Sequence, residues 1–182
     1  MNPRAAVLAV ETRAVEQVGL VRRPRRKFTR EGGYLEEDLV QYGVDHLACA
    51  DVLFKTDPRC FDSAGYLTSI GFELLLKAIL LRFSGAFPDD HDLGRLHHQV
   101  REAYPDFALR PEEEDLLRRV GRLATLRYPN RSEPDEVGDE DWDATRDLAE
   151  TLVEQLPEDL RDAVRARDIT QKGGRFLGWK PA

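Results

Sequence analysis

Glu73 and Lys77 stand four residues apart and carry the only charges in the nineteen residues from Ser63 to Leu81. On a helix that spacing sets the two side chains about 40° apart, one turn above the other, with Glu on the favourable N-terminal side. Tyr66, Leu67, Ile70, Phe72, Leu74, Leu75, Leu76, Ile79, Leu80 and Leu81 make the stretch apolar nearly all round, which predicts a central, buried helix. Two charges on such a helix either satisfy each other inside a bundle or face a pocket, because an unpaired buried charge is costly. A second candidate lies further on. Leu116, Val120, Leu123 and Arg127 fall at i, i+4, i+7 and i+11, so on a continuous helix Arg127 ends the core-facing stripe. An inward Arg needs an acceptor, and Glu73 or a ligand phosphate would serve. Tyr128 follows with a hydroxyl free to bond, and Pro129 forbids further helix. The bland alternative is structural in both cases: an ion pair that fixes helix register, and a helix end packed on the bundle.

The histidines are His46, His91, His97 and His98. His97 and His98 are neighbours, so on a helix they point about 100° apart and cannot share a metal as an i, i+4 pair would. The run Asp89, Asp90, His91, Asp92 has the composition of an acidic helix start. A divalent ion held with a distant carboxylate is the less common meaning of such a run. Ser63, Ser69 and Ser84 lack a nucleophile-elbow context, and no glycine-rich phosphate loop occurs. No metal and no cofactor are expected. Arg118 and Arg122 share a helix face and can add to an anionic-ligand site beside Arg127, although solvated pairing with Glu114 and Asp115 is the commoner role.

Charge is uneven along the chain. Residues 1–30 hold eight Lys or Arg against two Glu, leaving nineteen against thirty-two over residues 31–182. Arg22, Arg23, Arg25, Arg26, Lys27 and Arg30 place six positives in nine residues. Such an arm can contact nucleic-acid phosphates in a salt-sensitive way, and a solvated or self-docking segment is the competing reading. Cys49 and Cys60 are too few for a disulfide framework and lack metal-ligand spacing, which predicts buried thiols in a reducing cytoplasm. Glu73 and Lys77 argue against a membrane-spanning role for the apolar stretch, and the N-terminus lacks the run of a secretory signal.

The elements that must position these residues are helices. Arg4 to Val18 reads as a short amphipathic helix, Glu36 to Phe54 as a helix with an acidic first turn, and Asp57-Pro58 as the cap of the central helix, which Ser84, Gly85 and Pro88 end. Leu93, Leu96 and Val100 mark a short helix closing before Pro105. Arg110 to Arg127 predicts the next one. Trp142, Leu148, Leu152 and Leu156 mark the last, broken at Pro157 and continued by Leu160 and Val164. The expected architecture is all-α, an up-and-down bundle of four to five helices. A basic extension (1–33) precedes the bundle (34–168), a mobile loop spans 129–138, and a flexible tail (169–182) carries Phe176 and Trp179.

Gly71-Phe72-Glu73-Leu74-Leu75-Leu76-Lys77-Ala78, then His91-Asp92-Leu93 with Leu96, then Arg127-Tyr128-Pro129 before a last helix, resembles the HEPN domain in order and spacing. HEPN stands for the higher-eukaryote and prokaryote nucleotide-binding fold, and the resemblance covers roughly residues 35–154. It implies a helical bundle, homodimerisation across a face containing the polar cluster, and association with nucleotidyltransferases, toxin–antitoxin pairs or phage defence. Many members are metal-independent ribonucleases that use an Arg and a His four to six residues apart. Here no His follows an Arg at that distance, and the residues after Arg127 offer Asn130, Arg131, Ser132, Glu133 and Pro134. The resemblance is therefore to the non-nuclease type. It implies a ligand site of Glu73, Lys77, His91, Arg127 and Tyr128, with a ribonuclease using His91 or His98 as a displaced base as the alternative.

Overall fold

The computed structural model describes residues 26–127 and 139–170. Six helices build it: α1 (Glu36–Thr56), α2 (Phe61–Ser84), α3 (Leu93–Ala103), α4 (Pro111–Arg122), α5 (Asp139–Glu154) and α6 (Glu158–Thr170). Local chemistry sets their ends. Glu36, Glu37 and Asp38 occupy the first turn of α1, where the helix dipole favours negative charge. The Asp57 carboxylate accepts the Arg59 N–H at 2.9 Å with Pro58 next in line. That cap opens a 3-10 turn, Pro58–Cys60, from which α2 continues. Gly85, at φ 69°, adopts the left-handed conformation that ends α2, and its N–H reaches the Leu81 carbonyl at 3.0 Å.

The apolar stretch is the bundle's axis. α2 packs along α1 and also meets α3, α4 and α5, while α6 closes against α1. The α1–α2 approach is closest where glycines face each other: a Cβ on Gly71 would stand 2.6 Å from Leu47 Cγ and 3.0 Å from the Gly43 carbonyl oxygen. Hydrogen in place of a side chain lets the two backbones touch there. Phe72, Leu75, Leu76, Ile79 and Leu81 are fully buried with Leu96, Leu117, Leu148 and Leu152. At the far end Phe54 stacks between Phe61 (4.1 Å) and Trp142 (4.4 Å), and the Trp142 indole N–H donates to Asp51 at 3.2 Å. Pro58–Ser84 is long and apolar enough to cross a bilayer, and 72% of its most apolar window is instead buried inside the bundle.

Three features depart from the sequence-based expectation. First, part of the basic extension folds into the domain. Lys27–Thr29 (β1) pairs antiparallel with Ala86–Pro88 (β2), matching Phe28 with Phe87. Phe28, Tyr34 and Phe87 form an aromatic triangle with centroids 5.0–5.4 Å apart. Packing of the partly buried Phe28 and Tyr34 rings on buried Phe87 explains why so short a ladder holds. Second, the helix expected to reach Arg127 ends at Arg122, and Leu123–Arg127 continues as a 3-10 turn. The Thr125 hydroxyl donates to the Arg122 carbonyl at 2.7 Å, satisfying a carbonyl at that helix end. Third, Cys49 is exposed rather than buried, and both cysteines are free. The expected helix at Arg4 to Val18, the 129–138 loop and residues 171–182 of the expected 169–182 tail lie outside the described residues, while residues 169 and 170 belong to α6.

Candidate functional site

The predicted Glu73–Lys77 pair forms. Lys77 Nζ donates to Glu73 Oε1 at 2.6 Å, with side chains only 6% and 13% exposed. The Lys77 ammonium also lies 5.4 Å from the centroid of the Phe87 ring, so an aromatic face completes its surroundings. Phe87 is the part of this site that the sequence reading missed. Its only signal is a lone aromatic set between Gly85 and Pro88.

His91, eighteen residues along the chain, joins the pair. Its Nδ1 stands 3.0 Å from both Glu73 carboxylate oxygens, and its side chain is 69% exposed. An ionised carboxylate can only accept, so Nδ1 carries the proton in this contact. In the neutral ring that leaves Nε2 as an acceptor turned away from Glu73, 4.0 Å from Asp89 Oδ1. One partly buried carboxylate thus holds a buried ammonium on one side and orients an accessible imidazole on the other. Through Nε2 the neutral ring can accept a hydrogen bond, or a proton, from a ligand that reaches the rim.

The acidic run around His91 is occupied with structural work. Asp92 caps α3, accepting the Arg95 N–H at 3.0 Å. Buried Asp90 accepts the Asp92 N–H at 3.1 Å and an Arg95 guanidinium N–H at 2.9 Å. Both contacts fix the loop that carries His91. Among the described residues no group of three or more His, Cys, Asp or Glu is placed to hold a metal ion.

The chain on the other side of the loop is also pinned. The Asp89 N–H donates to the Arg26 carbonyl at 2.9 Å, extending the β1–β2 ladder to the residue two before His91. Arg30 binds Glu36 through Nε at 2.8 Å and through its terminal nitrogen. Burial pushes the Glu36 carboxyl up, but the Arg30 hydrogen bond and charge outweigh it and hold the group below its ordinary 4.5.

The remaining predicted residues divide. The turn that ends at Arg127 packs on α2, the helix of Glu73 and Lys77. Each residue of a 3-10 helix turns about 120° rather than 100°, so Arg127 is displaced from the stripe it would end on a continuous helix. Its side chain, and Tyr128 altogether, lie outside the described residues. Arg118 pairs with Asp115, and with Glu114 at 3.7 Å, as expected of a solvated helix face. Arg122 is exposed and borders a surface cleft with Arg118 and Arg119. Arg22, Arg23 and Arg25 are outside the described residues, whereas Arg26 and Lys27 sit at the head of β1. His98 is remote in role from His91: it lies 3.5 Å from Glu102 on the exposed side of α3. His97 is buried instead, its ring 5.7 Å from that of Phe107.

An all-α bundle packed around one apolar central helix is the architecture the resemblance implies. The family model of the HEPN domain matches residues 37–163, and the chain belongs to that family. No curated protein and no solved structure matches it.

Proposed function

We propose that this protein is a HEPN binding module for a nucleotide or an RNA end, with Glu73, Lys77 and His91, joined by Arg127 and Tyr128, as the ligand-facing cluster. It works in the cytoplasm as a homodimer beside an encoded partner such as a nucleotidyltransferase or an antitoxin, in a toxin–antitoxin or phage-defence setting. The observation that carries the reading is His91, an accessible imidazole oriented by a partly buried carboxylate that Lys77 already balances. Family membership supports a nucleotide- or RNA-related role in general. The missing Arg-to-His spacing supports binding over cleavage.

One observation favours a second reading. A carboxylate on Nδ1 of an exposed imidazole is also how a general base is oriented, so His91 rather than His98 is the base if this chain is a ribonuclease. A single assay separates the two. Pure protein is incubated with structured and unstructured RNA in EDTA, and binding is measured in parallel with a fluorescent oligonucleotide and a mononucleotide. The binding reading expects intact RNA and weakened binding in His91→Ala. Cleavage that disappears in His91→Ala would establish the nuclease instead.

A further inference from the structure

Gln99, Glu102 and Ala103 lie at i, i+3 and i+4 on α3, so they share one face of that helix. That face does not close fully on its neighbours. Between it, the end of α2 and the β1–β2 ladder, a hollow of about 290 Å³ opens to the surface. Its floor is apolar: Leu80 is 2% and Phe87 4% exposed, and Ala103 is half-buried. Its rim is polar, with Gln99 and Glu102 from α3 and Lys27 from β1. The ladder fixes Lys27 there by matching it with Pro88, which also borders the hollow. None of Glu73, Lys77 and His91 lines it, so it is separate from the candidate site.

The rim charges do not neutralise each other. Elsewhere on the domain exposed cations find a carboxylate: Lys55 pairs with Asp51, Arg82 with Asp159 and Arg101 with Glu114. Lys27 is exposed and pairs with no carboxylate among the described residues. Glu102, on the same rim, has His98 at 3.5 Å, a counter-charge only when that imidazole is protonated. The Gln99 amide makes no hydrogen bond among the described residues. An ammonium, a carboxylate and a free amide thus stand around an apolar floor, the combination of apolar wall and few polar groups that small-molecule sites use.

We propose that this hollow binds a small zwitterion with an apolar side chain, an apolar α-amino acid. Its carboxylate meets Lys27, its ammonium meets Glu102, and its side chain rests on Leu80, Phe87 and Ala103. Charge selects the class. A phosphate or nucleotide that met Lys27 would bring its negative charge to Glu102 as well, and an amine without a carboxylate would be repelled by Lys27. A ligand carrying both charges satisfies both. Size agrees, since 290 Å³ stands at the lower end of the roughly 300–1,000 Å³ of ligand pockets, which suits an amino acid better than a nucleotide.

The test is isothermal titration calorimetry of the full chain at slightly alkaline pH with L-phenylalanine, phenethylamine (ammonium alone) and N-acetyl-L-phenylalanine (carboxylate alone). Wild type is expected to bind phenylalanine about threefold or more tightly than either analogue, the size of one exposed charge pair. Lys27→Gln should weaken phenylalanine about threefold and leave phenethylamine unchanged or tighter. Glu102→Gln should weaken phenylalanine equally and leave N-acetyl-L-phenylalanine unchanged or tighter. Both substitutions fall on exposed side chains, and circular dichroism verifies the fold. Arg59→Gln controls for net charge, because Arg59 already pairs with Asp57. No saturable binding of phenylalanine by wild type up to tens of millimolar, or equal binding of the three probes, overturns the proposal. So does a phenylalanine affinity that both rim variants leave unchanged, or that falls as far in Arg59→Gln. Each of these results leaves the Glu73–His91 reading in place, since neither rim variant belongs to that cluster.

Discussion

Glu73 holds two partners of different kinds, and their burial decides what removing it does. Lys77 is 6% exposed and pairs with no other carboxylate among the described residues, so Glu73→Gln strands a buried ammonium against the face of Phe87. Breaking a buried pair from one side costs about 3 kcal/mol, whereas replacing both members by uncharged side chains is often neutral. Glu73→Gln and Lys77→Met should therefore each lower stability by about 3 kcal/mol, and the double variant should recover most of that loss. Urea melts of the three variants make the check. Equal, additive losses would show that the two charges do not depend on each other. His91 should stay folded in every case, since its contact with Glu73 lies at the rim. This pairing was legible from sequence because two charges in an apolar run four residues apart have few alternatives. Phe87 beneath Lys77 was not, since nothing in a short Gly85–Pro88 segment says which way its single aromatic points.

Elements repeat the same contrast between periodic and non-periodic signals. α1, α2 and α3 were readable to within a few residues because their apolar positions recur with the helical period and their ends carry Asp57-Pro58, Gly85 and Asp92. β1 and β2 have three residues each and pair across more than fifty residues of chain, so neither has an alternation to read. The end of α4 failed for another reason: a 3-10 turn keeps apolar residues inward while changing their phase. Burial of His97 on α3 was equally hidden, since adjacent His97 and His98 differ only in which face they take. That burial has a consequence for the α3–α4 edge. Burial pushes His97 below its ordinary 6.5; Glu114 opposes the shift, while Arg101, Arg118 and His98 add to it. Its Nε2 is buried without a hydrogen-bond partner. The folded state thus keeps a neutral ring, and the unfolded chain binds the extra proton once pH falls below 6.5. Stability from this residue is complete above 6.5 and is lost as pH falls from there through the folded value. Melting temperature followed from neutral to mildly acidic pH should fall in wild type and fall less in His97→Leu. Parallel profiles would show that protonation of His97 does not govern the loss.

At the scale of the whole molecule, α1 leaves an apolar stripe uncovered. Leu35 just before it, then Tyr42 and Val52 within it, are exposed at 50%, 62% and 62%. Exposed Cys49 lies on the same line. Within the helix, Tyr42 and Cys49 are seven apart and Val52 is three further on, so the three fall within about 80° of one helical face, with Leu35 at the N-cap. Singly exposed apolar residues need no explanation, but a line of them on the helix that also packs against the α2 axis is what a second copy can cover. It supports the proposed homodimer. Light scattering behind gel filtration should return about twice the 20.8 kDa of the chain. A glutamate at Tyr42 or Val52 places a like charge against its own symmetry mate or against apolar surface, and should bring the mass down to one chain without unfolding the bundle, since both side chains are exposed in the single chain. A wild-type mass of one chain at tens of micromolar would refute the homodimer. A dimer that survives both glutamates would move its interface off this stripe and onto another face of the bundle.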